Sequence, residues 1–409
     1  MASTLLTVFA VIILAEFALE RFLNYLNQQK RSKTLPDSLK GIYDEEKYRN
    51  FQAYSESKDR LGNLESTLGI VASLAMLFGG FALVDGWVHQ LSDSSIVQAL
   101  LFFGIIAIGS DILGTPFSIY FTFVIEERFG FNKTTVNTYV ADKLKGYVLG
   151  AIVGGGLLSL FVWFYESFPD LFWLYAWAAF FLFSLFLTMF YTNLIVPMFN
   201  KLTPLPDGEL RSAIEAYAAR VKFPLQNIMV IDGSKRSTKA NAYFSGLGKS
   251  KNIVLYDTLI EKHSIPELVS ILAHEVGHYK KKHTLQALFL SAINMLLTLY
   301  LLSLVVSSAE LSSALGAGQW SFHLGLVAFS LLYSPISTVT GLLFNVLSRK
   351  NEFEADAYAA QTSDGNALMT SLKKLSVDTL SNLTPHPAYV FFHYSHPPLL
   401  KRLAALQKA

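Results

Sequence analysis

Seven stretches of this chain stay apolar for about the 20 residues that a helix needs to cross a bilayer. They cover residues 5–23, 68–87, 96–119, 147–163, 171–197, 285–306 and 322–346. The first has no positive residue ahead of it and carries Glu16 and Glu20 in its second half, so it reads as a retained anchor, not a cleaved signal. The polar segments between the runs sort by charge. Loops 88–95, 164–170 and 307–321 contain no Lys or Arg, which assigns all 33 basic residues to the opposite side of the membrane. Because basic loops stay in the cytosol, the amino terminus is expected outside and the carboxyl-terminal tail inside. One span more or fewer would scatter the charges over both sides.

Between the fifth and sixth spans the pattern changes. Residues 208–221 repeat with helical period, 227–231 and 252–255 read as short strands, and 265–282 reads as a helix running into the sixth span. The expected fold is therefore α-helical integral membrane with a cytosolic mixed α/β domain. Residues 1–198 form five membrane helices with cytosolic loops, 199–283 the cytosolic domain, 284–347 two further spans, and 348–409 a cytosolic tail, helical at first, that completes the site. Composition agrees: 16% of the 409 residues are charged, against about 25% in soluble proteins, and mean hydropathy is +0.37. A net charge of +2 gives no footprint for nucleic acid. The absence of cysteine excludes disulfides, thiolate metal sites and a cysteine nucleophile. Nothing in the sequence specifies an oligomeric state.

The helical segment 265–282 contains His274-Glu275-Val276-Gly277-His278. Residues four apart share a helix face, so both imidazoles can reach one ion, while Glu275 points aside and can take a proton from water. A catalytic zinc keeps three protein ligands. The third is expected from the tail, where Glu352 and Asp356 are four apart and Glu354 points away. Glu352 would ligate and Asp356 would orient a ligand histidine. By itself a Glu–Asp pair at this spacing is more often a solvated face; an H-E-x-x-H motif on the same side of the membrane reverses that preference. One zinc per chain is expected. Glu16, Asp85, Asp111 and Asn193, in or near the spans, face either water inside the protein or other helices.

Further stretches extend the pattern: Leu35-Pro36-Asp37 through Gly41-Ile42-Tyr43, Thr115 through Tyr120, Phe123 through Glu127, Gly130 through Thr135, Phe199-Asn200-Lys201, Asn241-Ala242-Tyr243-Phe244 and Ser395-His396-Pro397-Pro398. With the histidine motif and Glu352 through Asp356, the chain resembles the type 1 CAAX prenyl proteases, membrane-embedded gluzincins, over most of its length. The resemblance implies seven helices around a large chamber, with a zinc domain capping it near the cytosolic side. It implies removal of the C-terminal tripeptide from isoprenylated CAAX proteins, so the expected partners are a peptide or protein substrate and the lipid bilayer. It further implies that Asn241, Ala242, Tyr243 and Phe244 align substrate backbone, that His396 stabilises the oxyanion, and that Arg402 supports Asp356 or Glu352. Read without the family, Asn241 to Phe244 is a turn ending at Gly246, His396 lies in a Pro-rich turn, and Arg402 is a surface residue. His283, His386 and His393 have no evident task. The chain is compact, with only about 15 residues between the last two spans. This suits a bacterial inner membrane; the alternative is the endoplasmic reticulum.

Three rivals remain at this stage. A quality-control membrane zinc protease shares the chemistry but has fewer spans. A cation transporter would show internal repeats and broken helices. A pseudoenzyme scaffold would lack part of the catalytic set, all of which is present.

Overall fold

The computed structural model describes residues 2–246 and 251–408. Among the described residues, seven helices are long and apolar enough to cross a membrane: Ala2–Lys30, Glu45–Leu91, Ser95–Glu126, Val136–Ser167, Phe172–Phe199, His283–Ser303 and Phe322–Thr362. Most extend beyond their apolar runs, because a helix ends where its backbone finds a cap and not where hydrophobicity fades. The second starts at Asp44, whose carboxylate accepts the Lys47 amide at 2.7 Å, with Glu45 and Glu46 at the positive end of the dipole. Thr135 caps the fourth in the same way through the Thr138 amide.

The spans do not interlock tightly. Only 6–17% of each span's most apolar window is buried. Asp111, in the middle of the third span, pairs with Lys143 of the fourth at 2.7 Å while both remain partly exposed. An ion pair at that depth does not face lipid, which supports a wet interior for the bundle. Asp85 and His323 meet at 2.7 Å where the second span ends and the seventh begins, and the Ser321 hydroxyl donates to the same carboxylate oxygen at 2.6 Å. This buried clamp marks one end of the bundle. From His323 to Glu352 the seventh helix rises roughly 44 Å, more than a bilayer core is thick, so Glu352 stands beyond the other end.

Beyond that end lies a four-stranded sheet: β1 (Leu202–Pro204), β2 (Leu225–Ile231), β3 (Ala242–Ser245) and β4 (Lys251–Tyr256), in the order β1-β2-β4-β3. β2 and β4 are parallel; β1 and β3 are antiparallel to their neighbours. Helices Glu209–Arg220 and Ile265–Lys280 cover the sheet, burying Ile214, Ile253, Leu255, Leu272 and Val276 in one core. β3 is an edge strand paired on one side only, among the described residues. It contains three of the four residues read either as a substrate strand or as a turn, and Gly246 follows it with φ +94°.

The segment leading into β3 is fastened to the membrane helices. Arg236 grips Asp142 with two hydrogen bonds, at 2.8 and 2.9 Å. Lys239 pairs with Glu126 at 2.8 Å, and the Tyr54 hydroxyl donates to the same carboxylate.

The expected run-on of the motif helix into the sixth span is corrected. The motif helix ends at Lys280, Lys282 takes a left-handed conformation (φ 61°), and a separate helix begins at His283. The opposite holds at the seventh span, which continues unbroken through Glu352 and Asp356 to Thr362. One membrane helix thus carries the carboxylates of the tail.

Candidate active site

The motif helix is fixed at its start by a reciprocal capping box between Ser264 and Glu267. Its carboxyl-terminal half lies against the extension of the seventh span. Ala273, Ala355 and Ala359 are fully buried at this contact. Gly277 allows it: a Cβ there would stand 3.0 Å from both the Cα and the carbonyl oxygen of Ala355.

This close approach brings three side chains to one point. His274 Nε2 and His278 Nε2 are 3.2 Å apart; Glu352 lies 3.4 Å from the first through Oε2 and 3.3 Å from the second through Oε1. Donors bound at about 2.0–2.2 Å in tetrahedral arrangement stand about 3.3–3.6 Å from one another, so the triangle has close to the dimensions of a metal site. Glu352 Oε2 is buried and makes no well-aligned hydrogen bond among the described residues. That oxygen and the two facing imidazole nitrogens are the donor set a divalent metal takes.

The surroundings hold this triangle in place. His274 Nδ1 is 2.9 Å from Asp356 Oδ1. Arg402 reaches in from the helix Leu399–Leu406 and donates to both oxygens of Asp356, at 2.8 and 2.6 Å, with a third nitrogen 3.3 Å from Glu352 Oε2. Asp356 and Arg402 are both buried. Burial opposes a charge on His274, but the bonds to Asp356 and Glu352 outweigh it and push its pKa up to about 9 in the metal-free protein. Burial also raises the Glu275 carboxyl above its ordinary range, against the pull of His274 and His278.

A cavity of about 820 Å³ opens beside the triangle. Glu275 and His396 line it, as do Asn241 to Phe244 and, from the sixth and seventh spans, Leu290, Phe344 and Leu347. His396 Nε2 is 3.3 Å from Glu352 Oε1, and the Ser395 hydroxyl is 2.9 Å from His396 Nδ1. With that hydroxyl donating to Nδ1, the imidazole carries its proton on Nε2, as an oxyanion donor requires. The turn holding His396 is secured by the seventh helix: Asn345 donates to the Phe392 carbonyl at 2.7 Å and Arg349 to that of Tyr394.

His274, Glu275, His278, Glu352, His396, Arg402 and Asn241 to Phe244 therefore gather around one cavity, with Asp356 directly behind it; Asp85 and Asp111 lie elsewhere in the helix bundle. Sequence reasoning missed His283 and Glu354. His283 Nδ1 is 3.1 Å from His278 Nδ1, and Glu354, expected to point away, reaches His283 Nε2 at 3.2 Å. The available signal was a third histidine within ten residues of the first. His393 pairs with Glu20 at 3.5 Å, and His386 caps the helix Pro387–His393; both lie outside the cavity lining.

Two family models divide the chain: "CAAX prenyl protease N-terminal, five membrane helices" matches residues 24–201, and "Peptidase family M48" matches residues 204–409. A CAAX prenyl protease 1 homolog of Arabidopsis thaliana is 36% identical, covering 91% of this chain and 90% of that protein. CAAX prenyl protease 1 of Saccharomyces cerevisiae is 34% identical over 96% and 93%, and the Homo sapiens homolog 32% over 98% and 95%. The crystal structure of S. mikatae Ste24p matches with a TM-score of 0.93 at 32% identity, covering 98% of this chain and 99% of that one.

Proposed function

Since this chain belongs to peptidase family M48, within its CAAX prenyl protease branch, and is a multi-pass membrane metallopeptidase, we propose that it uses zinc to remove the C-terminal tripeptide from isoprenylated CAAX proteins. The observation that carries this reading is the triangle of His274, His278 and Glu352 in the wall of a cavity shared by Glu275, a strand edge unpaired among the described residues and apolar side chains of two membrane helices.

His274, His278 and Glu352 would hold the ion. When bound, zinc acidifies water and polarises a carbonyl, the two things peptide hydrolysis lacks at neutral pH. Glu275 accepts the proton of the attacking water and delivers it to the leaving amine. His396 donates from Nε2 to the oxygen that becomes negative. The free edge of β3 adds the peptide as a further strand, with Asn241 to Phe244 setting its register. Leu290, Phe344 and Leu347 offer an isoprenyl group an apolar wall continuous with the membrane helices. Asp356 and Arg402 hold His274 and Glu352. The site would face the cytosol and the amino terminus the outside, a reading that the distribution of Lys and Arg supports.

The test is mass-spectrometric mapping of cleavage on a farnesylated CAAX peptide and its unprenylated twin, with wild type and Glu275→Gln. Release of the terminal tripeptide from the farnesylated peptide by wild type alone is expected. Scattered cleavage of both peptides would refute the substrate assignment, and full activity of the variant would refute the role of Glu275.

A further inference from the structure

The two ligand histidines are supported differently. His274 has a carboxylate directly behind it. His278, one turn later, does not: Asp356 is engaged with His274 and Arg402. Behind His278 stands His283 instead, and behind that Glu354, at 3.1 and 3.2 Å. The two rings meet nearly edge to face, at 72° with centroids 5.1 Å apart. His283 is buried, whereas Glu354 keeps its side chain partly exposed.

The proton arrangement follows from the geometry. When His278 ligates the metal through Nε2, as the proposed site requires, that nitrogen is bare and the ring proton lies on Nδ1. That N–H donates to His283 Nδ1, which must be the bare nitrogen of its ring. The proton of His283 is then on Nε2 and is donated to Glu354 Oε2. Each ring nitrogen along the chain has a complementary partner. Reversing the His283 tautomer would set N–H against N–H and remove the His283 donor from Glu354 Oε2.

We propose that His283 and Glu354 form a positioning relay for His278, the counterpart of Asp356 behind His274. The proposal rests on the reading of His274, His278 and Glu352 as metal ligands. Groups behind a ligand imidazole fix its tautomer and orientation, and their loss typically lowers metal affinity 10- to 100-fold. Because His283 is the first residue of the sixth span (His283–Ser303), the relay also ties the start of that helix to the metal site.

The test uses the full chain in detergent micelles, with zinc affinity measured by chelator competition and the visible absorption of the cobalt(II)-loaded protein as a signature of ligand geometry. His283→Leu should weaken zinc binding about 10- to 100-fold and shift the cobalt bands. Glu354→Ala should shift them in the same sense, and Glu354→Gln, which still accepts, should restore most of the wild-type spectrum. Glu354 is partly exposed, so its variants keep the test decisive if His283→Leu fails to fold. Lys350→Ala, next to Glu354 but outside the relay, should behave as wild type. If Glu352→Gln loses the metal while His283→Leu and Glu354→Ala keep wild-type affinity and spectrum, the relay is refuted and the metal site stands. Full metal retention by Glu352→Gln would overturn the metal site and the relay with it.

Discussion

Gly277 and Ala355 are in contact at a distance that admits no additional atom: a methyl group at position 277 would lie 3.0 Å from the Ala355 backbone. The two helices that supply the proposed metal ligands meet at this point, so the spacing of His274 and His278 from Glu352 is set by the absence of a side chain. Gly277→Ala must separate the helices, because backbone cannot yield as a flexible side chain can. A destabilisation of about 1–3 kcal/mol is expected, with weaker zinc binding, read by thermal unfolding and chelator competition. Gly109→Ala, where an added methyl group would meet no neighbouring described residue within 4 Å beyond its own stretch of helix, is the control and should cost nothing.

Arg402 neutralises two buried carboxylates at once. Removing one partner of a buried pair costs about 3–5 kcal/mol because the other charge remains. Arg402→Ala should therefore lower the melting temperature sharply and release metal. Arg402→Lys should recover only part of this, since an ammonium group cannot span both oxygens of Asp356. Equal behaviour of the two variants would mean that the two-oxygen grip has no energetic role.

Metal affinity should rise with pH. In the metal-free protein His274 has a pKa pushed up to about 9 by Asp356 and Glu352, in spite of burial. Below that pH it carries a proton that an incoming metal must displace. Apparent affinity should climb roughly tenfold per pH unit and flatten above about 9, with about one proton released from this residue at neutrality. Calorimetry in two buffers of different ionisation enthalpy reads that proton. Asp356→Asn removes a group that raises the pKa, so its plateau should begin at lower pH. An affinity unchanged between neutrality and pH of about 9 would contradict the assignment.

Lys239 and Glu126 link the segment before β3 to the third span at 2.8 Å. Glu126→Gln should loosen β3 without touching the metal triangle. KM for a peptide substrate should rise severalfold while kcat and bound zinc hold, as steady-state kinetics and metal analysis would show. A fall in kcat with unchanged KM would place the effect elsewhere.

The spans, the histidine motif and the Glu352–Asp356 pair were legible because each obeys a local rule: sustained apolarity for the spans, and a four-residue interval on one helix for the ligands. What escaped depends on partners distant in sequence. Ala242–Ser245 shows no alternation of apolar and polar residues and is a strand because β4 pairs with it. Leu202–Pro204 is too short for periodicity to register. Lys282 stands in a run of lysines, and nothing in that run announces the left-handed turn that separates the motif helix from the sixth span. Spacing turns Glu354 away from the face shared by Glu352 and Asp356, but its partner, His283, belongs to a different helix, where spacing rules do not apply.

The unbroken helix Phe322–Thr362 has one end in the Asp85–His323 clamp and a candidate metal ligand roughly 44 Å along it. A span whose apolar length exceeds the local hydrocarbon thickness tilts to hide the excess. Tilting a rod held at its far end swings its near end, where Glu352 must meet two imidazoles carried by a different helix. The thickness of the host bilayer thereby becomes a variable of the metal geometry, and the same chain reconstituted in short-chain and long-chain lipids should hold its zinc with different strength.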